Sequence, residues 1–388
     1  MDFSFTDEQI AVRDTIAKLC EKYDDAYWLA RDTDGVFPED FVKDLADGGW
    51  LGIAMPEEYG GSGLGVIEAG LMMQAIAASG AGFSGASAVH INIFGPNPLV
   101  VHGTAAQKQK YLPPLIAGKD RTCFGVTEPN AGLDTSRIET KAVLQGDTYI
   151  VNGRKMWTST AQTANKILLL ARTSPRDEGK KPTDGITMFY TEFDRDYCEA
   201  RVIEKMGRKA VDSNATFYDN LPVPVTDRIG EEGKGFHYLL DGLNPERILI
   251  ALECVGLGRA ALRKAVAYAN ERVVFDRPIG QNQAIQHPLA DSWAHLEAAD
   301  AMAWRAAALY DAGQPCGAEA NAAKYLAAEA CYTACERAVM THGGMGYAKE
   351  FHVERYLRES FIPRIAPVSR EMILNYIGQH VLKMPRSY

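Results

Sequence analysis

The sequence is short of several things, and each shortage removes a class of function. No stretch of ~18 residues runs apolar without interruption, so a membrane-spanning helix is not expected. Basic residues are outnumbered: 41 Lys and Arg against 50 Asp and Glu leave a net charge of -9. That balance argues against nucleic acid or an anionic membrane as the main partner, and leaves room for an anionic small molecule held by local basic groups. The seven cysteines (Cys20, Cys123, Cys198, Cys254, Cys316, Cys331 and Cys335) are scattered and odd in number, so no disulfide framework is expected. Cys331 and Cys335 stand one helical turn apart, but no His/Cys pair with ligand spacing joins them, and they read as buried thiols. The opening Met-Asp-Phe-Ser-Phe-Thr-Asp-Glu has neither the basic-then-apolar order of a secretory signal nor the arginines of a transit peptide. A cytoplasmic protein is the expectation.

What is present is an ordinary globular balance, 46% hydrophobic and 23% charged residues in 388, enough for two or three units sharing large cores. One stretch organises the rest. From Asn244 to Arg272 the chain is apolar on nearly every side in its first half, with Gly256, Gly258, Ala260 and Ala261 leaving room for close neighbours. Asn244 reads as an N-cap and Pro245 as the first helical residue. The helix so predicted is buried among others. Glu246 falls in its first turn and Arg272 near its end, ~39 Å apart at ~1.5 Å per residue. They cannot serve one end of the same bound molecule, so two sites or two subunits are implied. A buried carboxylate is costly unless paired or used as an acid or base, although a Glu246–Arg247 couple capping a helix start is the plainer reading.

Before that helix, Thr6 to Gln9 is a capping-box pattern opening a first helix, and Pro38 opens a second that ends near Gly48-Gly49. Met55 to Gly65 is a Gly-rich loop, Val66 to Ala78 is helical, and Thr104 to Gln107 caps a helix through about Ala117. From Thr122 the texture changes to short β-like runs at residues 123–126, 140–144, 148–151, 166–171, 185–190 and 215–218, with Gly146-Asp147 and Asn152-Gly153 as hairpin turns. This predicts a small antiparallel β unit, closed by Leu221-Pro-Val-Pro-Val225 and the turn or hinge Gly230 to Gly235. Helices return at residues 283–312, 319–340 and 371–381. The order gives an α+β fold: an N-terminal helical domain (1–120), a middle antiparallel β domain (121–232) and a C-terminal four-helix bundle (233–388).

Three further stretches carry chemistry. Phe124-Gly-Val-Thr-Glu-Pro-Asn-Ala-Gly132 follows a strand with small residues and a hydroxyl, so its backbone can meet a planar polar edge. In Asn152-Gly-Arg-Lys-Met-Trp-Thr-Ser159, Trp157 offers a flat wall and Ser159 a hydroxyl, although a Trp on a sheet is more often core. Arg272-Val-Val-Phe-Asp-Arg-Pro-Ile-Gly280 with Gln283, and Thr341-His-Gly-Gly-Met-Gly-Tyr347, combine an Arg, exposed glycine backbone and an amide suited to a pyrophosphate and an adenine. His342, placed before two glycines, reads as a hydrogen-bonding loop residue.

As a set and in this order, these stretches resemble the acyl-CoA dehydrogenase family over essentially the whole chain. The resemblance implies FAD between the middle and last domains, an acyl-CoA substrate, electron-transfer flavoprotein as the acceptor and a homotetramer built as a dimer of dimers. Carried over by position, it places Phe124, Val126 and Thr127 at the flavin's pyrimidine side, Trp157 and Ser159 against its ring, and Arg272, Phe275, Gln283, Gly343 and Gly344 at the pyrophosphate and adenine part, with Arg272 and Phe275 reaching the flavin of the neighbouring subunit. Leu133, Asn244, Arg247 and Tyr347 fall on the substrate side. The family's base lies either in a Tyr-Glu-Gly-Thr stretch near the C terminus or one turn into the helix that opens the bundle. Here the first place reads Ile365-Ala-Pro-Val-Ser369, with Pro367 at the Glu position, and the second holds Glu246, as in the isovaleryl-CoA and long-chain branches.

Three positions depart from the pattern: Leu133 replaces a ligand-contacting serine, Met340 a glutamine, and Pro367 lacks the backbone N–H commonly used to polarise the thioester carbonyl. The expected reaction is α,β-dehydrogenation of an acyl-CoA. Glu246 counts against an acyl-CoA oxidase or a non-redox elimination on the same scaffold; the oxidase would show itself by oxygen uptake with acyl-CoA, and a non-catalytic binding protein by taking up no FAD.

Overall fold

The chain folds in long blocks of helix, strand and helix, and the computed structural model describes residues 4–387 apart from 178 and 180. Helices α1 (Asp7–Cys20), α2 (Asp25–Asp34), α3 (Glu39–Asp47), α4 (Val66–Ile76), α5 (Gly82–Phe94), α6 (Asn97–His102) and α7 (Ala105–Ile116) come first. Thr6 and Thr104 close capping boxes with Gln9 and Gln107, as their spacing predicts. Helices α2, α5 and α6 are additions to the expected set. The reason is plainest in α5, whose Gly, Ser and Val content disfavours helix. Its first turn is capped from the other end of the chain: the Glu359 carboxylate accepts from Phe83 N at 2.7 Å, Ser84 N at 3.3 Å and Ser84 Oγ at 2.6 Å. The run Val66–His102 is apolar enough and long enough to pass for a membrane span, but two thirds of its most apolar window is buried and it bends at Gly80, where φ is 110°.

The middle strands are β1 (Thr122–Gly125), β2 (Lys141–Gln145), β3 (Thr148–Ser159), β4 (Lys166–Arg172), β5 (Ile186–Glu192), β6 (Cys198–Val202), β7 (Ser213–Pro224) and β8 (Arg228–Ile229). They form one sheet in the order β6-β7-β3-β2-β4-β5-β8, with β1 beside β4. Pairing is antiparallel except that β1, and one residue of β2, run parallel to β4, so the sheet is mixed where an antiparallel one was expected. Asn152-Gly153 is not a hairpin turn: β3 runs straight through it to Ser159, and the register with β7 slips by a bulge there. Glycine is required because a Cβ at position 153 would lie 2.4 Å from the Thr140 hydroxyl. Residues 221–225 likewise belong almost wholly to β7, not to a loop. Beyond Tyr218 the strand has lost β6 as a neighbour, so Pro222 and Pro224 sit on an open edge that needs no further donor.

The central helix α8 spans Gly235–Glu271, ten residues longer at its start than an N-cap at Asn244 would make it. Pro245 is interior and buried, and Asn244 caps nothing. Its side chain accepts from Arg247 Nη1 at 3.2 Å. The start is set instead by the Gly233-Lys234 turn, with Gly233 at φ 79°. Helices α9 (Gln283–Asp311) and α10 (Gly317–His342) complete the long members of the bundle. The fourth place is taken by the short α13 (Arg370–Tyr376), after α11 (Val353–Ser360) and α12 (Ile362–Ile365). The small residues of α8 serve as the sequence implies: a Cβ on Gly256 would lie 2.5 Å from Gln74 O, and one on Gly258 2.5 Å from Leu296 Cδ2. One apolar core joins the first helical block to the last, from Ile16, Trp28 and Phe41 through Met72 and Phe83 to Leu252, Leu257, Leu296 and Tyr356. At ~1.5–3 kcal/mol per fully buried large side chain, that shared core holds α8 in place.

Candidate active site

The first two functional stretches are stapled together by a buried ion pair. Lys155, wholly buried, donates to Glu128 Oε1 at 2.9 Å and to Val126 O at 3.1 Å. Glu128 also accepts from Glu139 N at 2.6 Å and Thr140 N at 3.0 Å, and Met156 N donates to Thr127 O at 2.8 Å. Burial pushes the Lys155 ammonium down to about 8 against the pull of Glu128, so it is charged at neutral pH. Residues 126–128 are thereby fixed against residues 155–156. The next residue, Trp157, stands out of the sheet: 56% of it is exposed and its φ is 61°, at a register slip between Lys155 and Thr158. It is not the core residue that a sheet tryptophan usually is. Phe124, Val126, Thr127 and Ser159 are half-buried.

From Ser159 a polar chain runs to the central helix. Arg208 Nη2 donates to Ser159 Oγ at 3.1 Å and to Ser213 Oγ at 3.2 Å, while its Nη1 reaches Ser87 Oγ on α5 at 3.2 Å. One turn further along α5, His90 Nδ1 lies 2.7 Å from Glu253 Oε1 of α8. Two turns back along α8 is Glu246, half-buried, with Arg247 beside it. Burial raises the Glu246 carboxyl above its ordinary value, and the charges of His90, Arg247 and Lys324 oppose that. The helix terminus has no part in this, because Glu246 lies three turns inside α8. Lys324 of α10 is buried, pushed down to about 8 by desolvation, and donates to Val368 O at 2.7 Å and to Pro363 O. It therefore anchors the segment holding Pro367 and adds positive charge facing Glu246.

Glu246, Arg247 and Asn244 thus lie in the first half of α8, on the side of the helix's length from which the polar chain leads through His90, Ser87 and Arg208 to Ser159. Arg272, Phe275, Gln283, Gly343, Gly344 and Tyr347 do not. Arg272 caps the far end of α8, and His342 stacks on Tyr268 at 4.3 Å, placing the glycine segment there too, ~33 Å along the helix from Glu246. His342 is the last residue of α10, its Nδ1 2.7 Å from Ala338 O, and not a loop residue. Phe275 and Asp276 form the two-residue turn of a small hairpin, both with positive φ, and Phe275 is 94% exposed. Tyr347 is exposed at 90%, and Leu133, near the sheet stretches, at 64%. All seven cysteines are buried and free, and among the described residues no cluster could hold a metal. Sequence reasoning missed Glu128–Lys155, His90–Glu253, Arg208 and Lys324. Glu253 had a signal, a lone carboxylate in an apolar helical run seven residues after Glu246. Arg208 had none.

Comparison with known proteins agrees along the whole length. The acyl-CoA dehydrogenase N-terminal, middle and C-terminal domain models match residues 6–119, 123–221 and 233–382. Acyl-CoA dehydrogenase FadE12 of Mycobacterium tuberculosis is 35% identical over 100% of both chains. The caffeyl-CoA reductase–Etf complex subunit CarC of Acetobacterium woodii is 35% identical over 84% of this chain and 85% of its own. Butyryl-CoA dehydrogenase from Megasphaera elsdenii superposes with a TM-score of 0.93 at 31% identity, covering 98% of this chain and 100% of that one.

Proposed function

Since this chain belongs to the acyl-CoA dehydrogenase family of FAD flavoproteins, we propose that it oxidises the α,β bond of an acyl-CoA thioester with Glu246 as the base. The residues present fit the cofactor. Trp157 exposes a flat indole beside the pinned backbone of residues 126–128, and Ser159 offers a hydroxyl at the same place. FAD, when bound, supplies the two-electron acceptor that takes the β hydride. The rest falls to the chain. Phe124, Val126 and Thr127 line one side of the planar site, Trp157 and Ser159 the other. Glu246 receives the α proton, and Arg247 and Asn244 hold its helix turn toward the substrate. A half-buried carboxylate with a raised pKa is a stronger proton acceptor than a solvated one, and the charges of His90, Arg247 and Lys324 oppose that rise.

The observation that carries this reading is the site of the carboxylate. Segment 363–369, tied down by Lys324, contains no acidic residue, and the charge of the same Lys324 acts on Glu246. Arg272, Phe275 and Gln283 would then complete the flavin site of a neighbouring subunit, within a tetramer, and Gly343 and Gly344 would offer backbone there. Leu133 and Tyr347 are retained as substrate contacts, Tyr347 only across subunits. Similarity to an Etf-complex subunit supports electron-transfer flavoprotein as partner. A cytoplasmic location and a straight or branched fatty acyl group complete the proposal, on the three-unit division 1–120, 121–232 and 233–388.

The test is the visible spectrum of the protein and of Glu246→Gln, without oxygen, before and after a panel of acyl-CoAs. Bleaching by some thioester, with a loss of roughly 10² or more in rate for the variant, is expected. Equal rates would remove Glu246 as the base, and no bleaching would remove the reaction. The CarC relationship favours one second reading, the same residues working in the reductive direction, for which an enoyl-CoA would reoxidise prereduced flavin faster than any acyl-CoA reduces it.

A further inference from the structure

The buried pair His90–Glu253 has no task in the reaction just described, and its position is unusual. Glu253 is wholly inaccessible, yet only one of its oxygens is hydrogen-bonded, and Oε2 has no partner. His90 is almost as deeply buried, and its Nε2 is likewise unpartnered. Two titratable groups are thus closed off with half their hydrogen-bonding capacity unused, a costly arrangement. Glu246 and Glu253 are seven residues apart, which is two turns of α8 and nearly the same face, ~10 Å apart along the axis. Histidine 90 reaches that face from α5. The anions acting on it are Glu253 and Glu246 of α8, and the cation is Arg208 from the segment before β7. Facing Glu246 are His90 from α5, Arg247 and Glu253 from α8, and Lys324 from α10, with the effect of His90 the largest of these.

We propose that His90 and Glu253 form a positioning dyad, in which Glu253 holds His90 as an imidazolium and that charge keeps the base Glu246 ionised and ready. The inference rests on Glu246 being the base. One proton is shared by the pair, donated from Nδ1 to Oε1, so the dyad is neutral overall but presents its positive member to Glu246. Burial disfavours the charge on His90, and Glu253, then Glu246, more than restore it. Without the imidazolium the Glu246 carboxylate would lose its largest stabilising charge, and its proton affinity would rise. A base must be ionised to accept a proton, so the acid limb of the flavin-reduction rate would move to higher pH. The alkaline plateau would stay.

Two readouts test this. The first needs no substrate: the carboxyl infrared band of Glu246, isolated as the difference between wild-type holoenzyme and Glu246→Gln, is titrated in the wild-type, His90→Gln and Glu253→Gln backgrounds. The Glu246 midpoint should rise by about one pH unit in His90→Gln, as a unit charge at several Å does at an effective dielectric near 20, and by less in Glu253→Gln, where loss of the Glu253 charge offsets part of the loss of the imidazolium. The second is the pH profile of flavin reduction, in which His90→Gln should be about tenfold slower at the acid end, Glu253→Gln slower by a smaller factor, and both near wild type at the alkaline end. An unmoved midpoint in His90→Gln overturns the proposal. So does a fall in Glu253→Gln, because His90 would then be keeping its charge unaided and Glu253 would be only structural. If either single variant fails to fold, the double variant, whose two amides can hydrogen-bond each other, carries the same expectation of a raised midpoint. Failure of every acyl-CoA to bleach wild type would count against the proposed reaction, while the infrared titration would still decide the dyad.

Discussion

Replacing Glu128 by glutamine should expose how much of the site depends on one buried ion pair. The carboxylate accepts from Lys155 Nζ, Glu139 N and Thr140 N. The amide has one acceptor atom, so its NH2 must face a donor on one side. Breaking a buried pair by removing one partner costs ~3–5 kcal/mol, and here a backbone N–H is stranded as well. For a chain of this size, at about 2 °C per kcal/mol, the thermal midpoint should fall by about 6–10 °C. The pH dependence has a definite sign. Lys155 sits at about 8 in the folded protein against an ordinary 10.5, so between those values the unfolded chain binds the extra proton and stability rises with pH. Without Glu128, both influences that raise Lys155 disappear and its folded value drops below 8. The variant then sheds its penalty at lower pH than wild type does. The stability deficit should therefore be largest near pH 6 and smaller at pH 9. Differential scanning calorimetry of both proteins across that range is the assay. A midpoint within 2 °C of wild type at pH 7, or a deficit that grows toward alkaline pH, would refute the reasoning.

Two other substitutions separate stability from binding. Trp157→Gly removes an exposed ring from a backbone with φ 61°, a conformation glycine adopts freely, so the apoprotein should melt no lower than wild type. FAD affinity should drop by about 2–10-fold, the worth of one aromatic stacking contact, and fluorescence titration showing unchanged affinity would remove Trp157 from the flavin site. Phe275→Ala deletes a side chain that is 94% exposed, and a surface change of this kind should alter single-chain stability by less than about 0.5 kcal/mol. The oligomer should weaken, and sedimentation showing an assembly as tight as wild type would place the interface elsewhere.

The fold was legible where local patterning and packing agree. The capping boxes at Thr6 and Thr104, the Gly146-Asp147 turn and the small-residue surface of α8 are all written within a few residues of where they act. What escaped was set from far away. Helix α5 depends on Glu359, 276 residues from Phe83, and the start of α8 on the Gly233-Lys234 turn, which ends eleven residues before its proline. Proline at an apparent N1 is persuasive locally, but here Pro245 is buried in the interior of a helix that continues through it. The site divides the same way. Glu246 and Trp157 stand in recognisable stretches, while His90 and Arg208 matter only because α5 brings Ser87 and His90, three residues apart, against Arg208 of the segment before β7 and Glu253 of α8.

The core shared by the first and last helical blocks has a consequence for how the molecule is made. Residues of α4 and α5 cover Leu252 and Leu257 of α8, so the opening helices have no finished surface to rest on until the ribosome has passed the whole sheet. Some 160 residues separate Phe94 from Leu257, which at ~5–20 residues per second is on the order of ten to thirty seconds of translation. For that interval the faces of α4 and α5 that pack on α8 stand uncovered, while the strands of the middle block can already pair with one another. The enzyme is thus assembled from the inside of its sequence outward, and its two ends meet last.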